Sequence, residues 1–147
     1  MLKSIVGIIV GYLVMALVAF AAYTAAYFGL GVERVFEPGS YTVSGLWIGL
    51  MIAITVIAGM LGGLTCAAIS KNRTTGLVFA VIVFGLSLVM AIPHIMKGNT
   101  STVRAGDVPN LQAMQLAQCP SWFSMLNPVL GGVAVLLGSR MKKNAAA

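Results

Sequence analysis

The chain of 147 residues is 59% hydrophobic and only 8% charged, with a mean hydropathy of +0.99 and a formal net charge of +6. A soluble domain carries about 25% charged residues to cover its water-facing surface, so this composition excludes a water-soluble globule. The length suits one domain, and the apolar residues gather in four uncharged runs of the roughly 18 or more residues that cross a bilayer.

The first run, Ser4 to Leu30, reads SIVGIIVGYLVMALVAFAAYTAAYFGL. Lys3, the apolar stretch and Ala19-Phe20-Ala21 imitate a secretory signal with its cleavage site. The run continues well past that site to Leu30, which predicts an uncleaved first helix. At about 1.5 Å per residue it reaches roughly 40 Å, so it must tilt or protrude from a hydrocarbon layer of about 30 Å. Gly7, Gly11, Ala22, Ala25 and Gly29 fall on one face, whereas Tyr12, Tyr23 and Tyr27 share a different one. A loop follows, GVERVFEPGSYTVS, with a Pro38-Gly39 turn.

The second run, Gly45 to Ser70, contains five glycines and no charge. In water each glycine costs a helix about 1 kcal/mol relative to alanine. In a bilayer, helices associate largely by close packing, and small residues let their backbones approach. At about 100° per residue, Gly49, Ala53, Gly59, Gly63, Ala67 and Ser70 all lie within roughly 80° of Gly45, a ridge along the whole helix. Gly45/Gly49 and Gly59/Gly63 are GxxxG pairs, and Gly63/Ala67 extends the second. The ridges on the first two helices read as association surfaces, either within the chain or against another protein.

The third run, Gly76 to Met96, ends in IPHIM, where His94 is the only histidine. It would serve as an axial ligand to a haem or chlorophyll-type macrocycle, or as an acid or base near neutral pH. The chain has no second histidine for a bis-histidine haem, so an interfacial residue bonded to a loop or to water is the favoured reading. A longer loop, Lys97 to Ser121, includes PNLQAMQLAQ, whose Val108, Leu111 and Met114 stand at the spacing of a short amphipathic surface helix. Asn99-Thr100-Ser101 within it matches a glycosylation acceptor, which matters only in a secretory pathway. The fourth run, Trp122 to Ser139, is barely long enough to span, and its Asn127-Pro128 pair invites a kink. The expected architecture is an all-α integral membrane protein, a single domain with helices at about 4–30, 44–70, 76–96 and 122–139.

Basic residues give the orientation. With the N-terminus inside, Lys3, Lys71, Arg73, Arg140, Lys142 and Lys143 are cytoplasmic and only Arg34, Lys97 and Arg104 lie outside, so both termini are expected in the cytoplasm. The positive charge then faces anionic lipid head groups rather than nucleic acid. Tyr23, Tyr27, Phe28, Tyr41, Trp47, Trp122 and Phe123 all fall at the outer boundary, where amphipathic rings prefer to sit.

None of the four runs contains Asp, Glu, Lys or Arg, the groups on which ion pathways and proton relays are built. No phosphate loop, HExxH, paired carboxylates or nucleophile elbow appears, so no enzyme activity is expected. Cys66 and Cys119 fall at opposite ends of the bundle, which rules out a bond between them. Cys66 is expected to pack in the ridge, and Cys119 to be free or joined to a partner. The nine methionines read as adaptable packing. Neither cysteine spacing suggests a metal.

FEPGSYTVSGLWIGL followed by AGMLGGLTCAAIS resembles segments of small, uncharacterised four-helix inner-membrane proteins of bacteria, over about the first half of the chain. The resemblance implies a bacterial inner membrane and carries no activity. The glutathione-handling MAPEG proteins have similar length and helix number, but their polar Arg, Asn and Glu positions inside the bundle have no counterparts here.

The expected function is association: an accessory or structural subunit of a larger membrane complex, or a self-associating bundle. It would be packed through Gly7, Gly11, Gly45, Gly49, Gly59, Gly63 and Ala67, with the outer loop as a docking surface. Leucine at Gly59 or Gly63 is expected to break assembly, and alanine at His94 to spare it. The alternative is a pocket for a lipid, quinone or pigment near Tyr12, Tyr23, Tyr27 and His94. No cofactor is required by the first reading, and its partners are membrane lipids and other membrane subunits.

Overall fold

A computed structural model describes residues 2–97, 109, 112 and 116–144. Its described residues form helices α1 (Leu2–Leu30), α2 (Val32–Val35), α3 (Gly45–Ser70), α4 (Arg73–Lys97) and α5 (Ser121–Asn144), with no strand beyond two isolated bridges. All but α2 are long and apolar enough to cross a membrane. The helices extend past the expected limits at several ends, most of all α5, which runs on through Arg140 to Asn144. The surface helix expected at Val108, Leu111 and Met114 lies outside the described residues.

Packing runs in the order α1, α3, α5, α4, with α4 returning to touch α3 and α1. Lys3, Lys71, Arg73 and Arg140 collect at one end of the bundle, which we call the basic end. There Thr75 donates to the Ser4 hydroxyl at 3.0 Å, and Gly76 lies against Ser139. The two-residue turn at this end is made by Lys71, in the left-handed conformation at the close of α3, and Asn72, whose side chain caps Thr74 N–H at 3.1 Å.

Backbone closeness sets the seams. A methyl group on Gly11 would stand 2.8 Å from the Gly62 carbonyl oxygen, and one on Gly62 would stand 2.8 Å from the Gly11 carbonyl oxygen. α1 and α3 thus touch main chain to main chain, a geometry that places Cα–H groups against carbonyls. On its other side α3 meets α5, with Gly59 against Ala134, Gly63 against the Val135 carbonyl and Gly138 against the Met60 backbone. Cys66, Phe79, Ala80, Val83 and Val135 close the space among the helices, Cys66 and Phe79 having no exposed surface at all.

The opposite end carries a folded cap. Tyr27, Val32, Val35, Phe36, Tyr41, Val43 and Trp47 form one buried cluster, with Tyr23 and Cys119 packed against it. Several rings expected to lie in the lipid interface are therefore buried by the protein: Tyr27, Tyr41, Trp47 and Phe123 are covered, while Phe28 and Trp122 stay exposed. For Tyr27, Tyr41 and Trp47 the covering comes from the loop between α1 and α3. Glu37-Pro38-Gly39-Ser40 makes a tight turn, closed by Ser40 N–H donating to the Glu37 carbonyl, with Gly39 at φ +70° where a side chain would be strained. Gly31, at φ 72° and ψ 162°, takes a conformation open essentially to glycine alone and turns the chain from α1 into α2. Val43 N–H then donates to the Gln118 carbonyl, and Gln118 N–H to the Tyr41 carbonyl, tying this loop to the segment before α5.

Candidate functional site

At the capped end, α3, α4 and α5 part enough to leave a groove of about 260 Å³. Met51 of α3, Ser87, Met90 and Ala91 of α4, and Phe123, Ser124, Asn127 and Pro128 of α5 line it, with Cys119 at its rim. Asn127 stands six residues from the start of α5 and Ser87 ten from the end of α4, which is about 9 Å and about 15 Å along the helices. The groove therefore opens in the half of the spans nearer the cap, deeper in the bundle than Trp122. Pro128 has no N–H to give to the Ser124 carbonyl four residues earlier. Such backbone is tolerated at membrane depth where it lines a cavity or meets protein.

A polar chain crosses the bundle beside the groove. The Tyr23 hydroxyl lies 3.4 Å from the Thr55 hydroxyl and 3.5 Å from the Met51 carbonyl, and Thr55 donates to Oδ1 of Asn127 at 3.1 Å. It joins α1, α3 and α5 through three side chains. With its oxygen occupied by Thr55, the carboxamide of Asn127 keeps an NH₂ group that donates to nothing among the described residues. The hydroxyls of Ser87 and Ser124 likewise have no bond there. Cys119, at the rim, is largely buried, and burial pushes its thiol above the usual range. Both cysteines are free, Cys66 deep in the helix contact and Cys119 at the cap.

The residues singled out from sequence are dispersed. Tyr12 is 41% exposed on the outer surface of α1, Tyr27 is buried in the cap and Tyr23 is held by Thr55, so the three tyrosines line no common pocket. His94 lies in α4, and its side chain is outside the described set. Of the glycine ridge on α3, Gly59 and Gly63 sit against α5 in the same chain, and Gly7 and Gly11 of α1 sit against α3. Ala67 is half-buried. At Gly45 and Gly49 an added methyl group would meet nothing within 4 Å among the described residues. The same angular stripe is thus covered toward the basic end and open toward the cap, where α5 lies instead on the Thr55 side of α3. Thr55, Gly62 and Gly138 were not distinguished by sequence, and Asn127 stood out only as the residue before Pro128. For Asn127 and Thr55 the available signal was a lone amide and a lone hydroxyl, each in the interior of an apolar run.

No family model matches this chain, and neither the curated proteins nor the solved structures include one that matches it. The segment likeness to small bacterial membrane proteins thus gains no support from these comparisons, and the structural arrangement stands on its own.

Proposed function

We propose that this protein is a non-catalytic bundle of four membrane spans that works by association, as an accessory or structural subunit of a larger membrane complex or as a self-associating unit. The observation that carries the reading is the open stripe Gly45, Gly49 and Ala53 on the cap half of α3. Glycines elsewhere on the ridge have an evident steric reason within the chain, since a methyl group at Gly59 or Gly63 would stand within 3 Å of α5. Gly45 and Gly49 have none, and their bare backbone matches what a helix from outside needs for close approach. The excess of Lys and Arg at the basic end supports a topology with both termini in the cytoplasm and the capped end outside, and the segment resemblance is what supports a bacterial inner membrane.

The packing of Gly59 and Gly63 moves the decisive substitutions. Bulk at either position would act on the fold of the chain itself, whereas at Gly45 and Gly49 the first side-chain carbon is clear of the described residues, which makes Gly45→Leu with Gly49→Leu the decisive pair. Native mass spectrometry of particles extracted from membranes should show wild-type chain bound to further copies or to other subunits, and the double variant released as single chains. Wild-type particles holding one chain and lipid alone, or an assembly unchanged by both leucines, would overturn the reading.

A further inference from the structure

We infer that the groove among α3, α4 and α5 is a binding site for a neutral ring bearing two carbonyl acceptors, the head of a membrane-soluble 1,4-quinone. The inference goes beyond the association reading and uses a different part of α3, the side marked by Met51 rather than the open glycine stripe.

Donors without partners are the starting point. Asn127 gives its oxygen to Thr55 and is thereby fixed in orientation, leaving its NH₂ to the groove it lines. Ser124 adds a hydroxyl from the same helix, and Ser87 adds one from α4 across the groove. All three residues are part-buried, and where they face lipid rather than protein the acyl tails offer their donors no acceptor. Donors on two facing walls suit a molecule with acceptors on two edges, whereas a single ester or acid carbonyl would satisfy one wall alone.

Charge and depth narrow the choice. Among the described residues no Asp, Glu, Lys or Arg lines the groove, and those walls offer no counter-charge to a charged head. Asn127 lies five residues beyond Trp122, about 7 Å deeper than the ring that marks the interface. A phospholipid carbonyl drawn that far would carry its phosphate into hydrocarbon, while a neutral ring with an apolar tail partitions there readily. Size excludes larger groups: about 260 Å³ is below the roughly 300–1,000 Å³ of most small-molecule sites and holds a single ring, not a macrocycle. Met51, Met90 and Phe123 supply adaptable and flat apolar surface for its faces.

The test uses the full chain in lipid nanodiscs and a fully substituted 1,4-benzoquinone carrying a decyl tail, followed by quenching of tryptophan fluorescence. Trp122 is the reporter, its ring centroid 5.9 Å from that of Phe123 in the groove wall. Quenching should saturate, and Asn127→Leu should weaken binding about ten-fold, the loss of one or two hydrogen bonds from its amide. Thr55→Val breaks the same internal bond but keeps the amide donors, and should leave affinity within about three-fold. Ser87→Ala should weaken binding about three- to ten-fold, and Ser87→Phe should abolish it by filling the groove. If Asn127→Leu does not fold, the two Ser87 variants decide alone. Quenching that never saturates, or affinities unchanged by Asn127→Leu and Ser87→Ala, would overturn the inference. So would equal loss in Thr55→Val and Asn127→Leu, or equal displacement by decane, which would make the groove a seat for an acyl chain.

Discussion

Replacing Gly62 with alanine tests the main-chain contact on which the α1–α3 seam is built. The new methyl group would lie 2.8 Å from the Gly11 carbonyl oxygen and 2.9 Å from Cβ of Met15, against an ordinary contact of about 3.4 Å or more, so α1 must retreat by about 0.6 Å. Neither obstacle is the far end of a flexible side chain, and the retreat would loosen Gly7 against Cys66 and Ser70 as well. Overpacking of this kind costs about 1–3 kcal/mol. Alanine recovers up to about 1 kcal/mol of helix propensity in water, and less in lipid. A net loss of about 1–2 kcal/mol is expected. Gly49→Ala is the matched control, because the same methyl group there meets nothing within 4 Å. Reversible unfolding in mixed SDS and dodecylmaltoside micelles, followed by far-ultraviolet circular dichroism, measures both. Equal stability of the two variants would refute the close approach of α1 and α3.

Three further outcomes follow from other parts of the molecule. Thr55→Val should cost about 0.6–1.7 kcal/mol in the same assay, the range found for hydrogen bonds between membrane helices, and a double-mutant cycle with Asn127→Leu should show that the two losses do not add. Phe36→Ala empties a site in the cap where the ring is only 2% exposed; a loss of about 3–5 kcal/mol is expected, read as faster hydrogen exchange confined to residues 31–44. Cys119 has a raised thiol pKa because burial disfavours the thiolate, so its alkylation by iodoacetamide should be slower than that of a free thiol and climb only above the usual thiol range. The fold prefers the neutral thiol, so this contribution to stability is intact below the unfolded thiol pKa and is lost as pH rises through the folded one. An ordinary thiol titration for Cys119 would show that the cap is open.

Span number and rough limits were legible because an uncharged apolar run of that length has few other folds available to it. The face of each helix that meets a neighbour was legible only in part. Gly59 and Gly63 share an angular stripe with Gly45 and Gly49, and nothing local to α3 reveals that α5 covers one pair and leaves the other bare. Gly62 stands off that stripe, so the ridge argument passed over it, although it makes the closest approach to α1. The cap was missed for a related reason. Val32, Val35, Phe36 and Val43 belong to a short loop with a Pro-Gly turn, and their burial depends on Tyr27, Trp47 and the distant Gln118 strand segment meeting at one place. Asn127 was noticed for the proline after it rather than for its amide, since its partner Thr55 lies 72 residues away.

The backbone pairing of Tyr41 and Val43 with Gln118 fixes an order of assembly. Two helical hairpins enter the bilayer one after the other as the chain is made. Until the second is complete, the first has no latch at its cap end, and Gly59 and Gly63 have no α5 to lean on. A chain arrested after α4 would therefore leave those glycines bare to any passing helix, making it a substrate for membrane quality control rather than a truncated working protein.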